Sequence, residues 1–245
     1  MPYSCARLRI FLVPLAPALL AISFVAAQAK TPKPCASSLA ACSTQGCSKP
    51  GVLPPDPELD VQKNRTQPPA QFHAYTFSAF IKLNQEAVLK KQRPTWTDAE
   101  SQRVRTIENG DGASLVGYLH DATLSDPETC NCYLADESGR DFHIWLGRTA
   151  NPAAGDYIVV EMTPRIREAK PAWTLQKLTT LKKQHPKVRV RGIITYDNEH
   201  FDYPKRHIRA TAWEIHPVTN FEVCPTSQCT AQGTTGWVKL EDLHP

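Results

Sequence analysis

Eight polar residues in the second half of the chain carry side chains suited to ligand or metal chemistry: His143, Glu161, Arg191, Asp197, His200, Arg209, Glu214 and His216. Histidines with carboxylates are the inventory of a divalent-cation site, because neutral imidazole and carboxylate oxygen both donate to such ions. The same groups suit a general base for phosphodiester hydrolysis, with arginine holding the phosphate. No H-E-x-x-H or comparable local signature ties them to one reaction. The expected metal set is His143, His200 and His216, the eight together are the expected ligand site, and no cofactor beyond a divalent metal is expected. The plain alternative has these groups satisfying one another on a barrel exterior, with Glu214 paired to Arg209 or Arg191 and His216 holding a turn.

Two strands must position most of this set. In residues 187–196, Val188, Val190, Gly192, Ile194 and Tyr196 share one face and Arg189, Arg191 and Thr195 the other, with Asp197 following in the same phase; Ile193 is the exception. That is the period of a half-buried strand. Alternation breaks over 198–205 and resumes with Thr211, Trp213 and Ile215 against Ala212, Glu214 and His216. Three earlier strands are expected: Ala113 to about Leu124, Phe142 to Leu146, and Tyr157 to Thr163. A helix over 171–185 follows, with Trp173, Leu175, Leu178 and Leu181 as its apolar stripe. Strand, strand, strand, helix, strand, strand is the plan of an OB-like five-stranded Greek-key barrel. Strand parity then sends His143, Glu161, Asp197, Glu214 and His216 to the wall opposite the apolar faces. Trp145, Trp173 and Trp213 read as packing residues.

A second set is basic and aromatic: Arg165, Arg167, Lys170, Lys182, Lys183, Lys187, Arg189 and Arg191, with Tyr196, Phe201 and Tyr203. OB-folds bind oligonucleotides or oligosaccharides on such surfaces; solvated helix ends and strand edges are the bland account.

Residues 1–29 have the form of a signal peptide, with Arg7 and Arg9, an apolar run broken by Pro14 and Pro17, and Ala27-Gln28-Ala29 as the cleavage pattern. No later segment approaches the ~20 apolar residues that span a bilayer, so a secreted or periplasmic product is expected. The whole chain carries +4; without those two arginines, 26 basic residues face 24 acidic ones, or +2. Net charge therefore does not argue for nucleic acid. Seven cysteines would remain: Cys35, Cys42, Cys47, Cys130, Cys132, Cys224 and Cys229. In an oxidising compartment most should pair and one is left over. Cys130 and Cys132 are too close to bridge each other easily, and Cys224 with Cys229 would close a small loop.

The expected organisation is a Cys/Pro-rich extended arm (30–69), in which 58–65 has helical character and ends in a solvated charge cluster, then a helical preface (70–112) with a capping box at Thr97–Glu100, the barrel (113–223), and a tail (224–245) that is either a docking strand or a flexible end.

At HIWLG, VVEMTPRIR, VRVRGIITYDNEH and RATAWEIHPV, and at Glu128-Thr129-Cys130-Asn131-Cys132, the sequence resembles a group of exported bacterial proteins without an assigned activity. They share a VRV-x-G, D-x-x-H and WEIHP signature. The resemblance implies the OB-like fold and export and transfers no catalytic residue. The leading reading is an exported binding module of the cell envelope with no demonstrated enzymatic centre, its ligand an oligomeric anion, a glycan or a protein. The second is a metal-dependent phosphodiesterase using the three histidines, and the third a structural envelope protein.

Overall fold

Alternating apolar residues build a closed barrel in the computed structural model, which describes residues 35–48, 56–85, 92–226 and 228–243. These all belong to the unit Pro32–Pro245; the expected signal segment lies outside the described residues. Among them no helix is long and apolar enough to cross a membrane.

Five strands close the barrel: β2 (Gly112–Leu124), β3 (Phe142–Gly147), β4 (Tyr157–Met162), β5 (Lys187–Tyr196) and β6 (Trp213–Cys224). β2–β3 and β3–β4 are antiparallel, β4–β6 is parallel, β6–β5 is antiparallel, and β5 returns antiparallel to β2. That order, with α5 (Leu175–Leu181) between the third and fourth barrel strands, is an OB-like Greek-key barrel. Leu115, Leu119, Ile144, Leu146, Ile158, Val160, Val190 and Trp213 fill it. The break in alternation at Ile193 is a register irregularity against β6, between Gly192 and Ile194, which is the local signature of a bulge. Gly192 lies so close to β6 that a Cβ there would meet the Pro217 carbonyl at 2.3 Å.

Short elements surround the barrel. The strand β1 (Phe72–Tyr75) pairs parallel to β2, within a stretch expected to be helical. It is followed by α2 (Phe77–Ile81) and by α3 (Asp98–Glu108), whose capping box forms at Thr97 and Glu100 as expected. A single turn, α4 (Pro164–Arg167), follows β4, and α5 is shorter than its apolar stripe suggested because Thr174 caps it. The tail adds a two-residue strand, β7 (Val238–Lys239), to β6.

The chain around α1 (Pro57–Lys63) is not a solvated charge cluster. Asp60, Lys63 and Asn64 are all buried. Cys35 bridges Cys47, Cys42 bridges Cys132, and Cys224 bridges Cys229, leaving the buried Cys130 as the unpaired cysteine among the described residues. The second disulfide fastens the arm to the loop between β2 and β3. The Asn64 amide donates to the Cys130 carbonyl at 2.9 Å and the Thr129 hydroxyl to Asp60 at 2.7 Å. The barrel wall opposite the apolar core is therefore covered in this region rather than wet.

Candidate functional site

Three barrel strands and three covering segments meet under that roof. His143 on β3 stands directly across from Glu161 on β4. Val160 pairs with Ile215 on β6, so Glu214 and His216, flanking Ile215, fall on the same side as Glu161. The 125–141 connection contributes Glu128, Cys130 and Asp141, the 197–212 connection Asp197, His200 and Arg209, and α1 contributes Lys63. In OB-folds the second and third strands and these two connections form the ligand face.

The contacts run continuously from one end of the cluster to the other. Lys63 Nζ lies 2.9 Å from Glu128 Oε2 and 3.7 Å from Asp197 Oδ2. Asp197 Oδ2 is 2.6 Å from His200 Nδ1 and 3.7 Å from Arg209 Nη2. Arg209 donates through Nη1 to Glu214. His216 Nδ1 lies 3.3 Å from Glu214 and 3.4 Å from Glu161, while its Nε2 faces Asp141 Oδ2 at 3.6 Å. His143 Nε2 is 3.8 Å from Glu161, and Asn131 donates to the other oxygen of Asp141.

The electrostatics divide this cluster in two. At one end, burial would raise Asp197, but His200, Lys63 and Arg209 outweigh it and hold the acid well below the usual range. Glu128 is lowered in the same way, burial being overcome chiefly by Lys63. At the other end Lys63 and His216 do not outweigh burial. Burial, then Glu128, pushes Asp141 up to about 6, and burial with Glu214 and Glu128 raises Glu161 far above an ordinary carboxyl. Burial lowers His143 to about 4, so it stays neutral. Among the described residues, Asp60, Glu128, Asp141, Glu161, Asp197 and Glu214 outnumber the permanent cations that act on them, Lys63, Arg209 and, near Asp141, Arg167. Protons on the acids or a bound cation must make up the difference, because uncompensated buried charge is costly.

Three groups of side chains have ligand-like spacing: Asp141–Glu161–His216, Glu128–Cys130–Asp141 and Asp197–His200–Glu214. The last is already engaged by Arg209 and Lys63. In the first, all three residues are buried, and Asp141 Oδ2, Glu161 Oε2 and His216 Nε2 have no hydrogen-bond partner among the described residues. The 3.6 Å from His216 Nε2 to Asp141 Oδ2 is close to the roughly 3.3–3.5 Å edge of a tetrahedron with 2.0–2.2 Å metal–ligand bonds. Glu214 beside Nδ1 supplies the carboxylate that fixes the tautomer of a ligating imidazole.

The expected residues are thus largely brought together, with two corrections. His143, His200 and His216 do not form one ligand group: His200 sits with Asp197, while His143 and His216 both approach Glu161, and of these two only His216 has ligand-like spacing to Asp141 and Glu161. Arg191 lies apart, 3.3 Å from Glu222 on the neighbouring strand. The sequence reading missed Asp141, Glu128, Lys63 and Cys130. Asp141 shares the phase of His143 two residues earlier, which was the available signal. Nothing local marks Lys63, which reaches the cluster from the end of α1.

The basic set is dispersed. Arg165 donates to Asn64 and the Cys42 carbonyl, Lys170 pairs with Glu241, Lys182 with Asp121 and Arg189 with Glu222, while Tyr196 is inside the core. A groove of about 690 Å³ lies away from the cluster, between α5, the start of β5 and the end of β6. Comparison with protein-family models, curated proteins and solved structures gave no match.

The roof itself has a testable charge. Burial pushes Asp60 up to about 7, and its Oδ2 has no hydrogen-bond partner among the described residues. Unfolded, an aspartate loses its proton near pH 4. Between pH 4 and 7 the folded state therefore binds more protons than the unfolded one, and stability falls as pH rises through that window. Asp60→Asn, which keeps the acceptor for Thr129, should stabilise the protein by about 2–4 kcal/mol at pH 8 and by little at pH 4, read by urea denaturation at both pH values. An equal effect at the two would show that Asp60 does not carry this penalty.

Proposed function

We propose that this chain is an exported binding module whose OB-like face holds a divalent cation through Asp141, Glu161 and His216. The observation that carries the reading is the trio of buried donor atoms, without hydrogen-bond partners among the described residues, delivered by three separate segments: the end of the 125–141 connection, β4 and β6. The three disulfides fit an oxidising compartment. Burial favours a small ion over a macromolecular ligand at this depth, and the roof of α1 and the Cys130 loop would keep it dry.

Elemental analysis after loading with zinc or manganese should find bound metal. Saturating ion at 100 times Kd should add about 2.7 kcal/mol to stability. His216→Ala and Asp141→Asn should abolish both effects while the disulfides form normally. No bound metal and no melting shift with zinc, manganese, magnesium or calcium rejects the reading.

One feature favours a second reading, hydrolysis. His200 is held by Asp197 through Nδ1 with its side chain about one-third exposed, leaving Nε2 as a base at the mouth of the cluster. Metal-dependent cleavage of a bis(nitrophenyl) phosphate, lost in His200→Ala with metal still bound, would establish it; no turnover in the metal-loaded protein leaves the binding module alone.

A further inference from the structure

The unpaired Cys130 sits where a second ion would need it. In this covalently stapled region every other described cysteine is in a disulfide, yet Cys130 is buried with its Sγ 3.6 Å from Glu128 Oε2. That is close to the roughly 3.5 Å edge between sulfur and oxygen ligands around a tetrahedral zinc ion, from bonds of about 2.3 and 2.0 Å. Asp141 completes the group, and it also belongs to the Asp141–Glu161–His216 set. A second sign of a ligand accompanies the spacing: Asp141 Oδ2, fully buried, has no hydrogen-bond partner among the described residues, and neither has the buried Asn131 Oδ1 next to Cys130.

Building on the cation site above, we propose that Glu128 and Cys130 form a second position that shares Asp141 with the first, so that the module takes a pair of thiolate-tolerant ions such as Zn²⁺ or Co²⁺. Carboxylates alone would suit magnesium, calcium or manganese, whereas a thiolate selects zinc-like ions. On binding, Cys130 gives its proton to solvent and the thiolate becomes a ligand. Lys63 Nζ, now 2.9 Å from Glu128, withdraws from that carboxylate and keeps Asp197, 3.7 Å away. The lysine thus acts as the resident cation of this position when no metal is bound.

The test is a Co²⁺ titration of the full disulfide-bonded chain, followed by native mass spectrometry and near-ultraviolet absorption. Two equivalents and a thiolate-to-cobalt charge-transfer band are expected, with calcium failing to compete. Cys130→Ser should retain one equivalent and lose the band. One equivalent without the band overturns the second position and leaves the first; one equivalent with the band means a single ion uses Cys130, which also overturns the shared pair. No bound cobalt overturns both. Should the serine variant fail to fold, stoichiometry and the band in the natural chain decide the matter.

Discussion

Removing the Cys42–Cys132 bridge by replacing both residues with alanine should destabilise the protein by about 4–5 kcal/mol, the chain-entropy value for a loop of this size. The two cysteines are 90 positions apart, against 12 for Cys35–Cys47 and 5 for Cys224–Cys229, and the stabilisation grows with the logarithm of loop length. The site should respond as well as the fold. This bridge ties the arm that leads into α1 to the β2–β3 connection, on which α1 packs through Asp60, Lys63 and Asn64, so its loss should loosen Lys63 from Glu128 and Asp197 and expose the acids to water. Denaturant unfolding of the three double-alanine variants should rank them by loop length. Hydrogen exchange should quicken around Cys130 and Lys63 in this variant alone. Equal losses for all three would contradict the role given to this bridge.

Arg209→Leu should cost about 3–5 kcal/mol, the usual penalty for stranding a buried charge. Arg209 is fully buried, donates to Glu214 and lies 3.7 Å from Asp197; without it two acids lose a cation where water cannot replace it. The comparison that isolates the cause is Arg209→Leu with Glu214→Leu. Replacing both members of a buried pair with apolar residues is often near neutral, so the double variant should recover a large part of the loss. Asp197 limits the recovery, because it retains only Lys63 and His200. A double variant as unstable as the two single losses added together would show that packing, not charge, sets the cost.

The barrel was legible in the sequence because its inner face alternates strictly. Val188 to Tyr196 and Trp213 to Ile215 announce two strands and their phase, and even the misfit at Ile193 marks a real irregularity. β1 and the start of α5 were not legible: four residues pairing with β2 carry too little pattern, and the cap at Thr174 begins the expected helix four residues late. Parity also gathered His143, Glu161, Glu214 and His216 on one wall. It could not say that the wall is covered. That fact depends on a disulfide between residues 90 positions apart and on Lys63, whose neighbours in sequence look like an ordinary solvated helix end. The same long-range closure bears on the split of the three histidines, since Lys63 and Arg209 make their close ion pairs with Glu128, Asp197 and Glu214, and Asp141 and Glu161 have only His216 and His143 at that range among the described residues.

Anomalous diffraction from crystals of the zinc-loaded protein tests the cation site most directly. The expected result is a peak within about 2.0–2.2 Å of a carboxylate oxygen of Asp141, one of Glu161 and a ring nitrogen of His216. Well-ordered crystals whose three side chains hold only one another, with no peak between them, would contradict it.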